Sequence, residues 1–170
     1  MWPLERECDA FYGNPRGRGD QVNPAWVGGN LVGIRAPFRV TYDGRPVSSI
    51  QIHRLCADSL RGVLKAIWAQ AMQDQATVDA WGASIFGGSF NFRLKRGLNT
   101  LSMHSYGAAI DLDPARNALG SRNGHFTANS PVVMAFESAG WEWGGRWKKR
   151  PDPMHFRLLG RVNPTSVRAA

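Results

Sequence analysis

Leu60, Val63, Leu64, Ile67, Trp68, Ala71 and Met72 recur at spacings of three and four, with Arg61, Lys65 and Gln70 falling on the other side. This period predicts an amphipathic helix over about 55–73, its apolar stripe turned to a core. Val132, Val133, Phe136 and Ala139 repeat the pattern over a shorter stretch. Ser130 stands before them as an N-cap, Pro131 at the first helical position, and Gly140 as the stop. Elsewhere the period falls to two. Over residues 107–113, Ala109, Asp111 and Asp113 alternate with Ala108, Ile110 and Leu112, which predicts a strand closed by Pro114. Residues 83–94 (ASIFGGSFNFRL) read as a strand, a Gly-Gly turn and a second strand. WEWGG reads as a short strand and turn, and HFRLL as a final strand opened by His155.

Between these elements the chain is punctuated. Pro37 breaks strand-like pieces in 31–42, and Asp43-Gly44 marks a turn. Residues 1–30, rich in Gly, Pro and Asn from Tyr12 onward, read as an irregular arm pinned by its aromatic residues. Helices and strands do not alternate as regular βαβ units. The expected fold class is therefore α+β, a small antiparallel sheet with helices packed on one side. At 170 residues one domain, 1–170, is expected.

Composition narrows the function. Seven Trp and eight Phe favour a packed core over disorder. Lys and Arg outnumber Asp and Glu by 21 to 13, a formal charge of +8, which suits an anionic partner such as an anionic cell wall. Apart from RWKKR (146–150) the basic residues form no dense run, and no recognition helix or zinc finger is visible, so nucleic acid is not expected. No apolar run is long enough to span a membrane, and MWPLERECDA does not read as a secretory signal. The expectation is a monomer made in the cytoplasm that reaches its target only after release. Two cysteines, Cys8 and Cys56, are too few for a disulfide scaffold or a thiolate zinc site. Whether they pair is left open.

The chemistry concentrates in SMHSYGAAIDLDP (102–114) and DPMHF (152–156). Asp111 lies on a strand among Ala, Ile and Leu, where a carboxylate is costly unless paired or bound to metal. If the strand opened by His155 pairs nearby, His104, Asp111 and His155 can converge as zinc ligands; ordinary turn and cap roles are the alternative. Asp152, three residues before His155, is then a candidate general base, or else a turn aspartate before proline. Arg93, following Phe92 in a predicted strand, is the best-fixed cation for a developing oxyanion, with Lys95 and Arg96 as loop charge. Asp113 reads as a loop cap, and His53 and His125 as structural or surface residues.

These segments resemble the zinc peptidases of the D-alanyl-D-alanine carboxypeptidase and L-alanyl-D-glutamate endopeptidase superfamily, many of them phage endolysins. Ser102, His104, Gly107, Asp111, Asp152 and His155 stand at the spacing of that family's pattern. The resemblance implies the fold shared with hedgehog-type signalling domains, zinc held by His104, Asp111 and His155, and Asp152 as catalytic base. It also implies a substrate-associated arginine at Arg93 and the bacterial peptidoglycan stem peptide as substrate. It further implies release to the wall, by a holin-type route in the endolysin-like case. FYGNPRG and the tryptophan-rich start are similar to phage members, which favours cleavage of the L-alanyl-D-glutamate bond. A D-alanyl-D-alanine carboxypeptidase and a non-catalytic wall-binding module are the alternatives. Where the family often carries Asp after WGG, this chain has Arg146, which leaves the cleaved bond open.

Overall fold

The computed structural model describes residues 1–95 and 98–160. Within them the chain is α+β, as expected. In order it forms α1 (Cys8–Tyr12), α2 (Pro24–Asn30), β1 (Leu31–Ile34), β2 (Thr41–Tyr42), β3 (Arg45–Pro46), β4 (Ile50–His53) and α3 (Ala57–Gln70). Then come α4 (Gln75–Trp81), β5 (Phe86–Gly88), β6 (Ala109–Leu112), α5 (Pro131–Ser138), β7 (Glu142–Trp143) and β8 (His155–Arg157). The main sheet has the order β5-β6-β8-β7 and is antiparallel throughout. Strands β1 and β4 form a second pair, and β2 and β3 a small hairpin.

The sheet has two unlike faces. Ile110 on β6 lies directly opposite Phe156 on β8, and Phe156 stacks on Phe136 of α5 with ring centroids 4.2 Å apart. All three are fully buried. Burial of side chains this size contributes roughly 1.5–3 kcal/mol each, and a stacked aromatic pair about 0.5–1.5 kcal/mol more. Val132 and Val133 fill the same layer, and Trp141 closes it, its indole N–H donating to the Ser59 hydroxyl of α3 at 3.0 Å. This is the helix side. The period of two turns Asp111 and His155, which are also direct partners, to the opposite face.

Three local readings are corrected. The arm 1–30 is not irregular throughout. The Asn23 side chain accepts from the N–H groups of Ala25 and Trp26, and Pro24 follows at the first helical position, so α2 starts there. Buried Trp26 donates to the Tyr12 carbonyl, and the Tyr12 hydroxyl donates to the Leu158 carbonyl at 2.9 Å, which fixes the arm to the body. Helix α3 is shorter than 55–73. The backbone turns to positive φ at Met72 and Gln73, leaving Met72 86 % exposed instead of in the apolar stripe. Asp74 then caps a separate helix, α4, by accepting from Thr77 N–H. Finally, 83–94 is one short strand, not a hairpin. Gly87 and Gly88 belong to β5 itself, and the chain beyond runs on without regular pairing until Leu94 bridges Leu101.

Asp43-Gly44 turns as expected. Both residues have positive φ, 48° and 73°, the condition for a tight hairpin turn between β2 and β3.

Candidate metal centre

The turn carrying His104 forms because Ser102 caps it and Gly107 ends it. The Ser102 hydroxyl accepts from His104 N–H, and Gly107 sits in the left-handed region at φ 61°. A Cβ on Gly107 would lie 2.7 Å from Leu31 and 3.0 Å from the His53 nitrogen, so only glycine lets this turn close against β4. His53 N–H donates to the Gly107 carbonyl at 2.8 Å, locking that approach.

Asp111 and His155 come from neighbouring strands of the sheet, and the His104 turn folds over them. Asp111 Oδ1 lies 2.9 Å from His155 Nδ1 and 3.2 Å from His104 Nε2, and the two imidazole nitrogens are 3.1 Å apart. Tetrahedral zinc, with bonds of about 2.0–2.1 Å to nitrogen and oxygen, has ligand edges of about 3.3 Å. The triangle therefore has the size such an ion requires. Its chemistry fits as well. The backbone carbonyl of Ser89 accepts from His104 Nδ1, which leaves the Nε2 lone pair facing the other two groups. With Asp111 Oδ1 also an acceptor, a cation at the centre satisfies all three atoms at once. Among the described residues these three form the group of His, Cys, Asp and Glu side chains able to hold a metal ion.

Electrostatics point the same way. Burial on its own pushes the Asp111 carboxyl up, but the hydrogen bonds and charges of His104 and His155 outweigh it. They hold the group well below the usual carboxylate range. Burial lowers the His155 pKa, with Asp111 pulling against it, so the neutral imidazole that a metal needs is favoured. His155 is flanked by the Trp147 ring, centroids 5.5 Å apart. Trp147 is itself held by its N–H to Glu142 and by the Arg157 guanidinium 4.6 Å above it.

Asp152 joins the site through β8: its carbonyl accepts from His155 N–H at 3.0 Å, and its own N–H donates to the Gly144 carbonyl. Its Oδ1 is buried without a hydrogen-bond partner among the described residues. Burial pushes the carboxyl up to about 6, the charge of Asp111 adds to this, and His104, Arg93 and Arg150 pull it back. A buried carboxylate oxygen left unsatisfied, with a pKa near neutrality, is suited to taking up a proton.

Arg93 is not in a strand. It is fixed instead by Ser105, whose hydroxyl accepts from Arg93 N–H at 2.8 Å and donates to the Arg93 carbonyl at 2.7 Å. Arg93 lines a cavity of ≈ 390 Å³ together with Tyr42, Gln51, Phe86, Asn91, His104 and Asp111. The segment 86–93 runs along this cavity. Phe86 stands opposite Leu112, Gly88 opposite Asp111, and Asn91 N–H donates to the His104 carbonyl. The cavity thus runs past His104 and Asp111. His155 and Asp152 lie outside its lining.

The remaining candidates fall elsewhere. Lys95 pairs with Glu5, and Arg96 lies outside the described residues. Asp113 is buried with φ 49°, so it leaves the face of Asp111. It accepts from Arg116, and its carbonyl holds Asn117. His53 is buried between Tyr12 and Trp26, and exposed His125 meets the Ala80 carbonyl. Arg146 forms two hydrogen bonds to Glu137 of α5, at 2.6 and 2.7 Å, and does not line the cavity. Cys8 and Cys56 are free and buried. Burial raises their thiols to about 11 and about 12, so both stay protonated.

Sequence reasoning missed Ser89, Trp147 and Gly87. Ser89 acts through its carbonyl, which any residue type supplies. A Cβ on Gly87 would lie 3.1 Å from Asp111 Cβ and 3.2 Å from its carbonyl, so the Gly-Gly pair marks a close approach to the strand of Asp111, not a turn.

Residues 96–158 match the family model described as D-alanyl-D-alanine carboxypeptidase. The matched stretch contains His104, Asp111, Asp152 and His155 and leaves Arg93 just outside. It supports a peptidase. Comparison with curated proteins and with solved structures returned no match. Among the described residues no helix is long and apolar enough to cross a membrane.

Proposed function

We propose that this chain is a zinc-dependent, endolysin-like peptidoglycan peptidase that cuts the L-alanyl-D-glutamate bond of the wall stem peptide. The observation that carries the reading is the triangle of His104 Nε2, Asp111 Oδ1 and His155 Nδ1 beside the unpartnered Asp152 Oδ1. His104, Asp111 and His155 would hold the ion. When bound, zinc would lower the pKa of a water and polarise the scissile carbonyl.

The chain's own residues supply the rest. Asp152 Oδ1 accepts the proton of the attacking water and returns it to the leaving amine, a role for which a pKa of about 6 is suited. Arg93, held by Ser105, offers its guanidinium to the negative charge that develops on the carbonyl oxygen. The Ser89 carbonyl keeps His104 in one tautomer and orientation. An internal bond is preferred because the cavity lined by His104 and Asp111 is also lined from Phe86 to Arg93, which offers more length than a terminal dipeptide needs. The second reading, a D-alanyl-D-alanine carboxypeptidase, is favoured by the description of the matching family.

Mass spectrometry of purified wall digested by the zinc-loaded protein separates them. New N-terminal D-glutamate on the stem is expected. Release of free D-alanine instead would establish the carboxypeptidase, and intact stems would sink both readings.

A further inference from the structure

The cavity beside the ligands carries an aromatic wall that the peptidase chemistry does not use. Tyr42, at the end of the β2–β3 hairpin, is 53 % exposed, and its ring meets Phe86 edge-on with centroids 6.2 Å apart. Both line the cavity, beside Ser49, Gln51 and Asn91. The hairpin is a fixed lip. Thr41 N–H donates to the Ser84 carbonyl, Val47 N–H to the Val40 carbonyl, and Thr41 bridges Ile85 next to β5. Apart from Arg93 and the two ligands, the lining side chains are neutral.

Resting on the peptidase reading, we propose that Tyr42 and Phe86, with Ser49 and Gln51, form a subsite for the pyranose ring to which the stem peptide is attached. A flat aromatic face flanked by amide and hydroxyl groups matches a sugar, whose ring has apolar C–H faces and a polar rim. It matches less well the carboxylates and small methyl groups of the stem itself. Position agrees with this. Phe86 pairs with Leu112, the neighbour of Asp111, so the two backbones are within about 7 Å. Extended peptide spans at most about 3.6 Å per residue, so about two residues of stem suffice to join a ring seated here to the bond at the ligands. The first amide bonds of the stem meet that condition in extended form, whereas a terminal D-alanyl-D-alanine bond meets it only if the stem folds back on itself.

The test compares kcat/KM for a disaccharide-bearing stem peptide and for the same peptide without sugar, in the zinc-loaded wild type, Tyr42→Ala and Tyr42→Phe. The wild type is expected to prefer the sugar-bearing substrate by about tenfold. Tyr42→Ala should bring the ratio close to one, and Tyr42→Phe should keep most of it. In parallel, titration with the peptide-free disaccharide should shift the ring resonances of Tyr42 and Phe86. No preference in the wild type, or a preference that Tyr42→Ala leaves intact, overturns the subsite. Cleavage of neither substrate overturns the peptidase reading. The titration then decides the subsite alone: shifts at Tyr42 and Phe86 uphold it, and their absence rejects it.

Discussion

Asp111 and His155 are direct cross-strand partners on β6 and β8, and their side chains meet at 2.9 Å on the face of the sheet opposite the one where Phe156 stacks on Phe136 of α5. The same register puts Ile110 opposite Phe156 on the buried face. One pairing therefore serves both the core and the site, because side chains alternate along each strand. A slip of one residue would bury Asp111 against Phe136 and turn Ile110 to the cavity. The core thus sets the register of the ligands, and His104 needs only its capped turn to complete the triangle.

One zinc per chain is the first expectation. His155→Ala removes a ligating side chain but leaves the backbone of position 155 paired with Asp111, so the fold should persist while the metal is lost and wall hydrolysis ceases. Metal analysis of the purified variant and wild type checks this. Hydrolysis that survives a strong chelator, with no site-bound zinc, would remove the basis of the mechanism.

Asp152→Asn should separate chemistry from metal binding. The side chain is not one of the three ligands, and amide for carboxylate keeps its shape. Zinc content should stay near that of the wild type while kcat falls by about 10²- to 10⁴-fold. A turnover close to normal would exclude Asp152 as the base.

The same variant gives a pH signature in the metal-free protein. The Asp152 carboxyl is raised in the fold from the ordinary 3.8 to about 6, because burial opposes its charge. Below pH 4 it is protonated both folded and unfolded and costs nothing. As pH rises from 4 to 6 the unfolded state ionises first, so stability is lost, and above 6 the penalty is complete. Asp152→Asn should therefore be more stable than wild type at pH 7.5, by on the order of 1 kcal/mol once solvent screening of this partly exposed group is allowed for, and equal to it at pH 3.5. Denaturant titrations at the two pH values measure the difference. A gain at pH 3.5 as large as at 7.5 would mean that the charge is not its source.

Much of this was legible in the chain because the signals are local. The apolar period from Leu60 to Ile67 needs no partner to be read, and alternation around Ile110 and Asp111 fixes which side faces the site. What escaped depends on contacts distant in sequence. Arg93 is positioned by Ser105, not by a strand, and the arm is ordered by Tyr12, Trp26 and His53 meeting across some forty residues. Asn23-Pro24 did announce α2, but a helix of seven residues is too short for periodicity to support. The Ser89 carbonyl that orients His104 leaves no mark on side-chain identity at all.

Charge should govern association with the wall more than bond cleavage. Lys148, Lys149 and Arg150 are exposed in the loop before Asp152, and Arg122 joins them by donating to the Lys148 carbonyl at 3.0 Å. Arg146 and Arg157 in the same region are already neutralised by Glu137 and Glu142. Among the described residues the part of this surface without an acidic partner is therefore the loop tip, and it lies outside the lining of the cavity. Reversing Lys148 and Lys149 to Glu should slow clearing of intact wall and flatten its dependence on salt, since attraction to a polyanion is screened over about 10 Å at 0.1 M. Turnover of a short soluble stem peptide at the same salt should change far less. Turbidity clearing and peptide kinetics run side by side check this. Equal losses on both substrates would place the loop in the path of the peptide itself. Arg146→Asp, which would break the clamp to Glu137, would then be the variant with which to look for a change in the bond that is cut.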